Sequence, residues 1–210
     1  SSGLYMCDEA VLSPFANEET FIDWLISVCN EKRIDIVFSG VEEILLEVSK
    51  RLAFFCSNTK AIFITSDYEK LLIGKSKYKT CVWLEENGCN YPRYSLLCKP
   101  NEVRNLVHDV GYPLIIKPIV GKGSQGVKLV SGENELEKFI GLEGYVLEEY
   151  IGTENDEYTI GCYCDRNGDL KEIIIMQRLL KNGTTVYAKV VENSVIKAEA
   201  EKICKAYKPI

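Results

Sequence analysis

Apolar positions along the chain alternate between helical and strand spacing. Phe21, Leu25, Val28 and Cys29 fall on one helical face, with Asn17 as its expected cap and Glu18 and Glu19 in its first turn. The run Ile34–Ser39 reads as a strand, Val41–Phe55 as a helix and Ala61–Ile64 as another short strand. This helix–strand–helix–strand order predicts a parallel sheet with helices packed on it. Ser66 and Glu69 form a capping-box pattern, Gly74 interrupts the helix they open, and a second helix covers Ser76–Asn87 up to Gly88.

The second half is richer in strands. Tyr94–Cys98 is strand-like, and Asn101 is the expected cap of a helix ending at Gly111. Two short apolar runs follow, Leu114–Ile116 and Val127–Val130, then a helix over Glu133–Ile140 and a strand over Gly144–Tyr150. Strands over Tyr158–Cys164 and Leu170–Leu180 flank Asn167-Gly168, a hairpin signal. Asn182-Gly183 marks another turn, into a strand over Thr184–Val191, and an amphipathic helix spans Val195–Tyr207.

Between the two apolar runs at 114–130 lies the most informative chemistry. Leu114-Ile115-Ile116 runs into Lys117-Pro118, then into the glycine loop Gly121-Lys122-Gly123-Ser124-Gln125-Gly126. Strand, lysine, glycine loop and strand together lay backbone N–H groups over a polyphosphate, which suits a nucleotide lid. A dinucleotide-binding GxGxxG would open a helix, whereas Val127–Val130 reads as a strand. A Walker A loop would end in Gly-Lys-Ser/Thr, and a protein kinase would place its lysine after the loop. Neither fits.

Composition narrows the class. Hydrophobic residues at 46% and charged residues at 27% are ordinary for a globular chain of 210 residues. A net charge of -6 argues against general nucleic-acid or membrane-surface binding. No apolar run approaches the roughly 18 residues needed to span a bilayer. Nine scattered cysteines without a CxxC, beside the single His108, favour reduced thiols in a cytoplasm over a zinc site or a disulfide framework. Asp165–Asp169 has the wrong glycine offset for a calcium loop and reads as a β-turn. Glu148 and Glu149 are adjacent on one strand, so they point to opposite faces and are not a paired acid and base.

Taken in order, Ser76-Lys77-Tyr78-Lys79-Thr80, Tyr112–Pro118, the loop 121–126, Leu147-Glu148-Glu149-Tyr150-Ile151-Gly152, Glu157-Tyr158-Thr159-Ile160 and Arg178 resemble the ATP-grasp superfamily. The likeness is to the carbamoyl-phosphate-synthase large-subunit type and its carboxylate–amine ligase relatives. It implies an α/β (α+β) ATP-grasp fold truncated at both ends. Residues 1–66 would be a partial, Rossmann-like preceding domain, fitted by Gly3-Leu4-Tyr5 and Asp8. Residues 67–97 would be a helical linker, 98–151 the lid subdomain and 152–210 a partial C-terminal subdomain.

The resemblance also implies roles. Lys77 and Lys117 would contact ATP phosphates, and Gly121, Lys122, Gly123, Ser124, Gln125 and Gly126 would fold over the β- and γ-phosphates. Glu148 would accept from the adenine amine, with Glu149 and Ile151 adding backbone contacts at the hinge. Glu157 would bind the ribose, and Arg178 would steady the transferred phosphate. The implied reaction is ATP-dependent activation of a carboxylate as an acyl-phosphate, followed by attack of an amine or ammonia. A carbamoyl-phosphate-synthase-like subunit acting on bicarbonate or carbamate is the alternative, as is a nucleotide-binding module without catalysis. Cofactors implied are ATP and Mg2+, with the metal carboxylates expected downstream of residue 210. Gly161 replaces an acidic residue common in the family. The expected partners are a small carboxylate and an amine, with a homodimer left open and neither nucleic acid nor membrane.

Overall fold

The computed structural model describes residues 5–153, 156–165, 167–181 and 183–208. The expectations placed on Gly3, Leu4 and Asn182 lie outside them. The chain divides into two compact units, Ser1–Tyr68 and Glu69–Ile210.

The first unit holds α1 (Phe21–Lys32), β1 (Ile36–Val37), α2 (Glu42–Lys50), α3 (Leu52–Asn58) and β2 (Ile62–Phe63). β1 and β2 pair in parallel, with Ile36 opposite Ile62 and Val37 opposite Phe63. The expected parallel arrangement is therefore present, on shorter strands. Its core gathers Phe21, Ile22, Ile26, Cys29, Val48, Phe55, Ala61 and Phe63. Three local expectations need correction. The helix cap is Thr20 and not Asn17, because a turn fills the preceding residues and the Glu18 carboxylate accepts from the Phe15 N–H. The single helix expected over 41–55 breaks at Arg51, which reorients α3 so that Phe55 enters the same core as Val48. The Ser66 hydroxyl has no hydrogen-bond partner, so the capping box is not made.

The second unit opens with α4 (Tyr68–Lys75) and α5 (Lys77–Glu86). Helix α4 runs through Gly74; the break comes at Ser76, whose hydroxyl caps α5 by accepting from the Lys79 N–H. Next come β3 (Tyr94–Leu96), α6 (Pro100–Val110), β4 (Leu114–Pro118), β5 (Lys128–Val130), α7 (Glu133–Leu136) and β6 (Tyr145–Glu149). The cap of α6 is Lys99, and Asn101 lies inside the helix because Pro100 takes its first position. The four strands form a sheet in the order β3-β6-β4-β5, antiparallel at each pairing. One face packs Leu114, Ile116, Val130 and Leu147 onto Val103 and Leu106 of α6 and onto Leu136. Burying such a side chain contributes about 1.5–3 kcal/mol.

The remaining elements are β7 (Tyr158–Cys164), β8 (Leu170–Lys181), β9 (Thr184–Val190) and α8 (Ser194–Tyr207). They match the expected boundaries within one residue. The strands form an antiparallel meander, and α8 packs on β7 and β8. Asn193 caps α8, its side-chain oxygen accepting from the N–H groups of Val195 and Ile196 at 3.1 and 3.0 Å. Helix α8 is tied back to α4 and α5: the Tyr207 hydroxyl donates to the Lys70 carbonyl, and its ring meets Trp83 edge-on at 5.4 Å.

Candidate functional site

The sheet register brings Lys117 and Glu148 together. Ile115 lies opposite Glu148 on the β4–β6 pair, so Lys117, two residues on, projects from the same face diagonally across from it. That face is opposite the one carrying Leu114, Ile116 and Leu147. The Lys117 Nζ donates to Glu148 Oε2 at 2.6 Å. Glu148 is only 4% exposed. A carboxylate that buried is tolerable only with a partner, and Lys117 is that partner.

Helix α5 supplies two further groups. The Lys77 N–H donates to the Ile119 carbonyl at 2.9 Å, which fixes the helix start beside the end of β4. The Lys77 Nζ reaches the Gly121 carbonyl at 3.0 Å and so tethers the glycine loop. One turn later the Cys81 thiol donates to Glu148 Oε1 at 3.9 Å. Burial, and next the Glu148 charge, push that thiol up to about 12 against the opposing influence of Lys117. It stays protonated at neutral pH. Below it, the Tyr94 ring stands opposite Glu148 on β3, its hydroxyl donating to Glu85 Oε2 at 2.7 Å. Burial first, and then that hydrogen bond, raise the Tyr94 hydroxyl above its usual range.

The loop uses left-handed backbone at Gly123, Ser124 and Gly126, with φ of 65°, 57° and 72°. Gly126 is required twice over, because a Cβ there would also meet Pro118 Cγ at 2.8 Å. The loop lies against the β8–β9 turn: a Cβ on Gly183 would meet Ser124 Oγ at 2.7 Å and the Gly123 carbonyl at 2.9 Å.

Glu157 and Arg178 are likewise brought together. The Arg178 N–H donates to the Glu157 carbonyl, and its guanidinium lies 3.6 Å from Glu157 Oε2 and 3.3 Å from Thr185 Oγ1. The Arg178 Nε is buried and makes no hydrogen bond among the described residues. Glu149 faces away from Glu148, as alternation requires, and accepts from the Arg93 N–H at 3.2 Å. Ile151 is 64% exposed. Among the described residues, no group of three or more His, Cys, Asp or Glu side chains is placed to hold a metal ion.

Sequence reasoning missed Cys81 and the second duty of Gly183. Cys81 had one signal, its position four residues after Lys77 and hence on the same helix face. Gly183 had none beyond its turn.

A buried carboxylate paired with a partly exposed lysine on one sheet face, with a tethered glycine loop following the same strand, marks a polar site in a mixed α/β domain. Residues 74–210 match the ATP-grasp domain family, and the chain belongs to it. Among curated proteins, the chain is 30% identical over 100 residues to a probable alpha-L-glutamate ligase 1 of Shewanella sp. (strain W3-18-1), covering 45% of this chain and 33% of that protein. It is 20% identical over 151 residues to the carbamoyl phosphate synthase large chain of Agathobacter rectalis, covering 71% of this chain and 13% of that one. Among solved structures, the biotin carboxylase domain dimer of Hydrogenobacter thermophilus 2-oxoglutarate carboxylase, in complex with MgADP, ADP and bicarbonate, superposes with a TM-score of 0.68. That likeness covers 98% of this chain and 49% of that one at 17% identity. The chain thus spans a third of the glutamate ligase and half of the carboxylase domain, and the fold expectation is met.

Proposed function

We propose that the protein is an ATP-dependent ligase that activates a carboxylate as an acyl-phosphate for attack by an amine or ammonia. The observation that carries this reading is the Lys117–Glu148 pair on the sheet face beside a glycine loop tethered by Lys77. Glu148 offers an acceptor to the exocyclic amine of adenine, and Lys117 and Lys77 offer cations to phosphate oxygens. Gly121, Lys122, Gly123, Ser124, Gln125 and Gly126 supply backbone N–H groups above the β- and γ-phosphates. Glu149 and Ile151 contribute backbone at the hinge, Glu157 binds ribose, and Arg178 holds the transferred phosphate through the part of its guanidinium that is not buried.

In the proposed reaction, a substrate carboxylate oxygen attacks the γ-phosphorus and ADP leaves. The amine nitrogen then attacks the acyl carbon, phosphate departs and the amine proton is lost. Lysines and an arginine suit this chemistry, which rests on positioning and charge neutralisation. Magnesium accompanies the nucleotide in this proposal; the described residues form no cluster of three or more metal-binding side chains. The relatives support the ligase class without identifying the carboxylate. A homodimer is supported by the dimer of the carboxylase domain. A cytoplasmic location is proposed from cysteine usage, nine scattered cysteines without a CxxC. No helix among the described residues is long and apolar enough to cross a membrane.

The test is ATP-dependent phosphate release by the full-length protein over a panel of amino acids and bicarbonate. Release that requires one carboxylic acid together with an amine supports the ligase. Release driven by bicarbonate alone replaces it with the carbamoyl-phosphate-type reading. Nucleotide binding with no release under any condition makes the protein a binding module.

A further inference from the structure

Glu148 carries an unusual pair of contacts for a group meant to read a base. Its two oxygens are held by different elements, Oε2 by Lys117 of β4 and Oε1 by Cys81 of α5. A carboxylate anchored through one oxygen turns broadly about its last torsion, since sp³–sp² torsions have shallow wells. A second donor on the other oxygen sets the plane. Cys81 is itself only 4% exposed, and so is Glu148, so water does not replace either contact cheaply. The thiol is a weak donor and takes up one lone pair, leaving the other on Oε1 for an incoming N–H.

We infer that Cys81 is a positioning residue that fixes the Glu148 carboxylate plane and thereby sets selection of an amino-bearing purine over an oxo-bearing one. The inference deepens the proposed nucleotide site and rests on Glu148 facing the base. A carboxylate held in one plane presents its free lone pair to the adenine exocyclic amine. The same oxygen meets the carbonyl oxygen of guanine, acceptor against acceptor. A carboxylate free to turn relieves that repulsion and also loses part of the adenine contact. Because the thiol keeps its proton at neutral pH, it adds no second negative charge. Lys77 and Cys81 lie on one face of α5, so one helix would serve the phosphate end and the base end of the nucleotide together.

The experiment measures affinities for ATP and GTP by competition on the full-length protein, unmutated and as Cys81→Ala and Cys81→Ser. The alanine variant is expected to lower the ATP-over-GTP preference about fivefold, the effect of one modest hydrogen bond. The serine variant, which keeps a donor, is expected to restore the preference to within about twofold. Should the alanine protein not fold, Cys81→Val fills the space without a donor and is read the same way. An unchanged preference in the donor-free variant, or an equal loss for both nucleotides with no rescue by serine, overturns the role of Cys81 while leaving the nucleotide site intact. Equal binding of ATP and GTP by the unmutated protein overturns the inference together with the base-reading role of Glu148.

Discussion

The Lys117–Glu148 pair makes an asymmetric stability prediction. At 2.6 Å, and with an effective dielectric constant near 20, the gross attraction is about 6 kcal/mol, most of it offset by the desolvation of the carboxylate. The two ends are not equally buried: the lysine side chain is 28% exposed and the glutamate side chain 5%. Lys117→Met strands a buried charge with only the weak Cys81 donor and should cost about 2–4 kcal/mol, near the low end for a broken buried pair. Glu148→Gln leaves a cation that water still reaches and should cost only about 1–2 kcal/mol. The double variant should cost little more than Glu148→Gln alone, giving a coupling of about 2 kcal/mol. Trp24 belongs to the first unit and Trp83 to the second, so a Trp24→Phe background makes tryptophan fluorescence during urea unfolding report on the second unit. Equal costs for the two single variants, or a coupling under about 0.5 kcal/mol, would refute the claim that Lys117 holds a buried charge.

Gly183→Ala should force the glycine loop off the β8–β9 turn, because its Cβ would overlap Ser124 Oγ at 2.7 Å on backbone with φ of 72°. Trypsin should then cut after Lys122 faster, and an unchanged cutting rate would show that the loop does not rest there. The Glu85 carboxyl is held below its usual 4.5 chiefly by the Tyr94 hydroxyl, then by that of Tyr91. Its stabilising effect is therefore complete above that value and lost as pH falls through the depressed folded value. Glu85→Gln should flatten the stability loss below pH 4.5, measured by urea midpoints across an acid series, and an unaltered acid limb would count against it. Asn193→Ala removes the acceptor for two N–H groups at the start of α8 and should cost about 1 kcal/mol, read as a lower urea midpoint with an unchanged slope.

How far the sequence could be read depended on whether the deciding contact lay within an element or between elements. The β7–β8 hairpin was legible because alternation and the Asn167-Gly168 turn are local, and the observed strand limits agree. The helix expected over Glu133–Ile140 stops at Leu136 for a reason outside its own residues. Beyond Leu136 the chain tightens into turns, with Phe139 N–H donating to the Leu136 carbonyl, and Gly141 N–H is drawn away to the Leu97 carbonyl at 2.7 Å. Helical spacing says nothing of that tertiary partner.

The site divides along the same line. Alternation alone separates Glu148 from Glu149. Only the register, Ile115 opposite Glu148, puts Lys117 on the same face as the buried carboxylate. A one-residue slip of β4 against β6 would turn Lys117 into the core and Ile116 out toward α5, so the apolar packing of Leu114, Ile116 and Leu147 is what enforces the polar pairing behind it. The site geometry is thus a consequence of the core on the other side of the sheet. A polar substitution at Ile116, which touches none of the proposed ligand groups, would weaken the register that aligns Lys117 with Glu148.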